Sequence, residues 1–285
     1  MIVTTKVLLE KAKQDGYAVG AFNTVNLETT KAILDAAEEL SSPVIVQLTE
    51  KTMEYAGGRV LFSLIRNMAE FYHSHIPVAI HLDHGKSYEI VERAIEIGLP
   101  SVMYDGSRHT YSDNVRTTKK VVELAHSKGV SVQAELGNVP YLSEVHGAID
   151  WDEYMTDPDE AIRFVGETGI DTLAVAIGNA HGFAAERSEP DYERLSRISE
   201  RVSIPLILHG ASDWEDGRAE EVIRRGISCF NVDTAIKLAF VGTLTRVIGE
   251  GDKTDIRSVL EPARDAVKEE VKRKMHLYGS AGKAK

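Results

Sequence analysis

“PVAIHLDHGKSYEIVERAIEIGLPSVMYDGS”, residues 77–107, reads as a strand, a helix and a second strand. Its first run (77–84) and its last (101–107) are mainly apolar or β-branched, as strands covered on both faces should be. Between them “SYEIVERAIEIG” (87–98) has a helical pattern, and Gly98 with Pro100 close behind is an ordinary stop signal. The first run ends oddly for a buried strand. Ala79, Ile80 and Leu82 suit a dry interior, whereas His81, Asp83 and His84 are costly to bury without partners.

The same alternation continues in both directions. Further runs are “AVGAFN” (18–23), “PVIVQLT” (43–49), “VSVQAELG” (130–137), “DTLAVAIG” (171–178), “IPLILHGAS” (204–212) and “SCFNVDTA” (228–235). Helical patterns such as “LETTKAILDAAEEL” (27–40) and “DNVRTTKKVVELAHSKG” (113–129) lie between them. Eight strand–helix repeats in 285 residues predict a closed (β/α)8 TIM barrel, a fold that needs about 250 residues. An open doubly wound sheet usually has fewer strands and often a Gly-rich dinucleotide loop after the first, and “AFNTVNLETT” has no such loop. No low-complexity linker interrupts the chain, so residues 1–285 are expected to form one domain. “AIKLAFVGTLTRVIGE” and “DIRSVLEPARDAVKEEVKRKMHLYG” read as extra C-terminal helices, and the tail “GSAGKAK” (279–285) is expected to be disordered.

Composition narrows the function. The formal net charge of −11 argues against a nucleic-acid partner, which needs a basic patch, but leaves room for a small anionic substrate. The single cysteine, Cys229, excludes an intramolecular disulfide and is expected to be a buried, inert thiol. The opening “MIVTTKVLLEKAKQDG” has too short an apolar run for a signal peptide, and no stretch approaches the roughly 20 residues of a membrane span. A cytoplasmic protein with no membrane partner is the expectation.

In a barrel of this kind, the active site lies at the C-terminal ends of the strands. Here those ends carry Asp83-His84, Asp105-Gly106-Ser107, Glu135-Leu136-Gly137, “GNAHG” with His181, “HGAS” with His209, and “NVDT” (231–234). His84, His181 and His209 match a catalytic zinc site, with three protein ligands and a position open to substrate. Asp83 beside them can exchange a proton with whatever binds there. Asp105 and Glu135 are the remaining acids, able to bind metal in an alternative position or to hold the ligand histidines. By regular alternation His81 faces away from His84 and is expected to orient its neighbours. His73, His75, His126 and His276 are expected to be solvated. His109 and His146 fall in loops and are unassigned. “HGAS” and “NVDT” offer backbone N–H groups where barrels commonly bind phosphate.

“HLDHG”, “MYDGS”, “AELG”, “AVAIGNAHG”, “LILHGAS” and “NVDT”, in this order and at this spacing, resemble the zinc-dependent class II fructose- and tagatose-bisphosphate aldolases. The resemblance runs from “GYAVGAFNTVNLET” to the helix after the eighth strand. It implies reversible cleavage of a phosphorylated ketose to dihydroxyacetone phosphate and an aldehyde. It also implies zinc on His84, His181 and His209, proton transfer by Asp83 at the cleaved hydroxyl, and metal-proximal acids at Asp105 and Glu135. Gly182, Gly210, Ser212, Asn231, Asp233 and Thr234 would bind the donor phosphate and hydroxyls, beside a monovalent cation (Na⁺ or K⁺). Asn23 and Thr49 sit at positions of polar substrate contact. A homodimer or homotetramer is expected. The residues agree independently, since the enediolate left by cleavage needs a Lewis acid or a Schiff-base lysine, and none of the eight runs contains a lysine.

Two departures bear on the substrate. After “AELG” the family usually has a Gly-Gly and acidic cluster on a mobile loop with a catalytic glutamate. This chain has “NVPYLSEVHGAIDWDEY”, in which Glu144 is the best-placed substitute. After “NAHG” comes “FAAERSEP”, with Arg187 in place of a lysine contact to phosphate and Arg108 a further cation near the mouth. The distal group is therefore open: a second phosphate, a sulfonate, a deoxy acid or no phosphate at all. A zinc hydrolase or isomerase barrel is the rival, but hydrolases commonly place an His-x-His pair on strand 1, where this chain has Phe22-Asn23. A sugar-phosphate sensor should have lost the metal ligands or Asp83.

Overall fold

The computed structural model describes residues 1–142, 151–182, 189–214, 217–251 and 254–284. Along them β1 (Ile2–Val3) and α1 (Thr5–Asp15) precede β2 (Val19–Asn23), α2 (Leu27–Glu39), β3 (Val44–Thr49), α3 (Glu50–Ala56) and α4 (Gly58–Phe71). Next come β4 (Val78–Gly85), α5 (Tyr88–Ile97), β5 (Ser101–Tyr104), α6 (Tyr111–Ser127), β6 (Ser131–Leu136) and α7 (Pro158–Thr168). The chain continues through β7 (Thr172–Val175), α8 (Tyr192–Ser199), β8 (Leu206–Leu208), α9 (Gly217–Arg224) and β9 (Ile227–Val232) to α10 (Thr234–Gly249) and α11 (Ile256–Leu277). Strands β2 to β9 pair in parallel around a ring, and β4–β5 closes it. This is the (β/α)8 barrel that the eight apolar runs predict.

The sequence reading missed β1. It pairs with the start of β4 through Ile2↔Val78 and Val3↔Ala79. β5 joins β4 only from His81 onward, so β1 occupies the edge that the stagger of the barrel leaves bare. Above it α1 closes the barrel floor. Leu8, Leu9 and Ala12 pack against Val19, Ala21, Ile45, Ala79, Ala174, Ile207 and Cys229, all buried. Cys229 is a free buried thiol, and burial pushes its pKa up.

A strand turns every second residue inward, and this period carries the floor residues upward into polar ones. Ala21 is followed by Asn23, Ile45 by Gln47 and Thr49, Ala79 by His81 and Asp83, Ile207 by His209, and Cys229 by Asn231. The barrel thus has an apolar lower half and a polar mouth. The residues between them, such as Phe22, Val46, Ile80, Leu82 and Phe230, belong to the core beneath the helices.

The tail is a correction. Residues 279–284 are not disordered: the Gly282 N–H donates to Leu40 O at 2.8 Å, the Ala284 N–H to Ser41 O at 2.8 Å, and Ser280 Oγ lies 2.8 Å from Ser42 Oγ. They satisfy backbone carbonyls that the end of α2 leaves open. His73 is also buried rather than solvated, 3.2 Å from Glu38 Oε2. Among the described residues, no helix is long and apolar enough to cross a membrane.

Candidate active site

The odd end of the first quoted strand is resolved by a break in its period. Regular alternation cannot turn both Asp83 and His84 inward. The β4–β5 register shifts between Leu82 and Gly85, and His84 adopts φ 49°, a left-handed conformation that costs a non-glycine residue roughly 1–2 kcal/mol. This bulge brings both side chains to the mouth. It also overturns the expectation that His81 and His84 face apart.

Ligand atoms of His84, His181 and His209 lie within 4.8 Å of one another, and so do those of His84, Asp105 and Glu135. His84 Nδ1 is 2.7 Å from Asp105 Oδ2, and its Nε2 is 2.8 Å from His209 Nδ1. Asp83 stands apart from the ligands, with Oδ1 accepting from Asn231 Nδ2 at 3.0 Å and Oδ2 from Asn23 Nδ2 at 2.9 Å. Burial raises its pKa. Burial also works against a charged His84, but Asp83, the Asp105 hydrogen bond and Glu135 outweigh it and raise His84 to about 10. Burial opposes ionisation of Asp105 too, yet its contacts with His84 and Ser107 hold the carboxyl well below the usual range. Glu135, buried and facing Asp105, is raised to about 8, while His209 is pushed well below its ordinary value by burial and by His84 and His181. The acids of this centre attract positive charge, and Glu135 Oε2 is buried without a hydrogen-bond partner. Three converging imidazoles, nearby acids and an orphaned oxygen fit a divalent cation.

The loops after β7 and β8 are locked together. Asn179 Nδ2 donates to His209 O at 3.0 Å, and Gly210 (φ 58°) sits so close to the next loop that a Cβ there would lie 2.6 Å from Ala180 O. A mouth cavity of about 1100 Å³ opens above them. Asn23, Thr49, Gly182, Gly210, Ser212, Asn231, Asp233 and Thr234 all line it, together with Asp83, His84 and His181. A smaller cavity of about 250 Å³ adjoins it at His84 and His181 and reaches Asp105, Glu135 and Arg108. Glu144 and Arg187 lie outside the described residues, so their placement relative to the mouth is not described.

Three residues escaped the sequence reading. Tyr141 stacks on His181 (4.5 Å between centroids, 20° between planes), and the Leu142 N–H donates to His181 O at 3.1 Å, tying the loop after β6 to this histidine. Gln133 Nε2 lies 2.8 Å from His209 Nε2. Lys274, fully buried on α11, donates to the carbonyls of Ser212 (2.7 Å) and Trp214 (3.2 Å) from behind the turn after β8. The inward period of “VSVQAELG” was signal enough for Gln133, since it shares a face with Glu135. Nothing local marks the other two.

Fold and site together define a (β/α)8-barrel enzyme with a histidine–carboxylate centre at its C-terminal mouth. Comparison with known proteins narrows this. The family described as fructose-bisphosphate aldolase class-II matches residues 3–283. A fructose-bisphosphate aldolase of Thermus caldophilus is 45% identical, with both chains covered in full, and one of Helicobacter pylori strain J99 is 39% identical over 99% of this chain and 100% of its own. Among solved structures, the YdjI aldolase of Escherichia coli K12 superposes with a TM-score of 0.88 at 33% identity, with 100% of each chain covered. A putative fructose-1,6-biphosphate aldolase of Coccidioides immitis superposes with a TM-score of 0.89 at 32% identity, covering 98% of this chain and 97% of its own. The chain belongs to the class II fructose-bisphosphate aldolase family, and it is accordingly an aldolase, a lyase of carbon–carbon bonds.

Proposed function

We propose that this enzyme uses zinc to cleave fructose 1,6-bisphosphate, or the tagatose epimer, reversibly to dihydroxyacetone phosphate and a phosphorylated aldehyde. The observation that carries the reading is the convergence of three imidazoles beside Asp83 on the edge of a cavity rimmed by glycine turns and the start of α10. The names of the bacterial relatives support it.

His84, His181 and His209 would hold the metal, with Asp105 and Glu135 orienting it or offering it a second position. When bound, the ion supplies a Lewis acid for the negative charge that builds on the substrate carbonyl as the adjacent carbon–carbon bond breaks. Asp83 takes the proton of the cleaved hydroxyl. Held between Asn23 and Asn231, with its pKa raised by burial, it is a carboxyl suited to carry that proton and return it. The electron pair of the broken bond stays with the donor fragment, whose carbon must then be protonated. We assign that transfer to Glu144, seven residues after Gly137, on the ground that zinc and Asp83 cannot serve both ends of the bond. Glu144→Gln should slow solvent-deuterium incorporation into dihydroxyacetone phosphate at unchanged zinc content, and equal rates would assign the role elsewhere.

Backbone donors at Gly182, Gly210 and Ser212 and the start of α10 would receive the donor phosphate, with a monovalent cation beside it. Asn231, Asp233 and Thr234 complete that subsite, with Asn23 and Thr49 as polar contacts. Lys51 and Lys86 line the same mouth and are exposed, which favours an anionic distal group. The test is a cleavage assay of the zinc-loaded enzyme against a panel of ketose 1-phosphates and bisphosphates. A strong preference for a bisphosphate is expected, and efficient cleavage of only a distally uncharged ketose 1-phosphate would overturn the assignment.

The one-domain reading rests on closure of the ring by β4–β5. A homodimer or homotetramer in the cytoplasm belongs to the same proposal. Leu238, Val241 and Ile248 on α10 are each more than half exposed, an apolar surface suited to a second copy. Sedimentation as a monomer would contradict that part.

A further inference from the structure

Below the three histidines, inward side chains of β3, β4 and β6 form a buried polar layer. Gln133 Nε2 lies 2.8 Å from His209 Nε2, and the same side chain borders His81. His81 is 1% exposed, and neither ring nitrogen has a hydrogen-bond partner. Gln47, its register neighbour on β3, is also 1% exposed, with Oε1 unpartnered. Three orphaned atoms in one layer call for an explanation, because buried polar groups are normally satisfied.

His209 stands between Gln133 and His84. Gln133 Nε2 faces His209 Nε2, and His209 Nδ1 lies 2.8 Å from His84 Nε2, the two ring atoms that would share a cation. No ring hydrogen can lie between those two atoms when both are ligands. A neutral imidazole can offer Nδ1 as a ligand only when its hydrogen is on Nε2, and that Nε2–H then needs an acceptor. The amide oxygen of Gln133 can serve, because the two ends of a carboxamide are nearly the same size. With the oxygen toward His209, the NH₂ group is free to donate to a ring nitrogen of His81. The remaining His81 N–H can then donate to Gln47 Oε1. One half-turn of one amide gives all three orphans a partner.

We propose that Gln133 is a positioning residue whose amide, backed by His81 and Gln47, presents its oxygen to the Nε2–H of His209 and fixes His209 in its ligating tautomer. This rests on the metal site proposed above.

The test is two-bond ¹H–¹⁵N correlation spectroscopy of the histidines in the ¹⁵N-labelled full chain, metal-free and after titration with zinc alone, with His209 assigned by the loss of its signals in His209→Asn. His209 should carry its hydrogen on Nε2 in the zinc-bound chain. A hydrogen on Nδ1 in the zinc-bound chain overturns the proposal. In parallel, Gln133→Met, which removes the acceptor, should lower zinc affinity by about 10–100-fold. Gln133→Glu, which keeps an acceptor, should restore it to within a few-fold of wild type. Wild-type affinity in Gln133→Met overturns the proposal, and if that variant does not fold the wild-type spectra decide alone. Failure of the wild-type chain to bind zinc overturns the metal site and the relay together, whereas zinc uptake with the wrong tautomer overturns only the relay.

Discussion

Asp83 is held by other partners than the neighbouring carboxyls. Both its oxygens accept from amides, at 2.9 and 3.0 Å, and neither is aimed at the histidine centre more closely than the 3.9 Å to His84 Nε2. Its removal should therefore leave the metal in place. Asp83→Ala is expected to keep wild-type zinc stoichiometry and lose about 10²-fold or more in kcat, the scale of general acid–base catalysis. Metal analysis beside steady-state kinetics checks this. Loss of zinc would make Asp83 structural, and retained turnover would remove it from the reaction. At this scale the sequence was legible wherever side-chain type speaks for itself: the histidines, Asp83 and the glycine turns all reach one mouth. It was illegible at His84, because a bulge there reverses the face that strict alternation from His81 assigns. It was illegible again at Tyr141, whose stacking on His181 joins loops far apart in sequence.

Among the elements, the eight strands could be read to within a few residues because each is a short apolar run between helical patterns. β1 could not, since two residues carry no period and their pairing depends on the stagger of the ring. Loop packing is the other feature hidden from sequence, and Gly210 gives its sharpest case. A Cβ there would meet Ala180 C at 2.5 Å and His181 N at 2.8 Å, in a left-handed conformation besides. Gly210→Ala should cost roughly 1–3 kcal/mol by overpacking and displace the His181 loop. Reduced zinc affinity and a lower thermal midpoint are expected together. Gly166, exposed in the last turn of α7, is the control, because a Cβ added there would meet nothing within 4 Å. Gly166→Ala should raise stability by about 0.5–1 kcal/mol with no effect on zinc. Equal behaviour of the two variants in thermal melts and zinc titrations would contradict the packing account.

Over the whole molecule, the barrel divides into a floor for stability and a mouth for chemistry. α1 and the apolar lower halves of the strands close the floor, and the same inward faces turn polar two residues later. The C-terminal segment follows this plan too. α11 sends Lys274 beneath the turn after β8, and residues 280–284 dock on Ser42 and the end of α2. Composition suggested a loose tail because Gly, Ser and Lys lack apolar anchors, but its backbone supplies the bonds. The proposal that unites these parts is a centre that would hold a cation on His84, His181 and His209 and use no lysine. The most direct measurement is turnover of fructose 1,6-bisphosphate before and after chelation, with zinc added back and borohydride trapping in parallel. Activity should vanish on chelation, return with zinc and leave no lysine adduct. Full turnover in metal-free protein, or a borohydride-trapped lysine, would contradict the account.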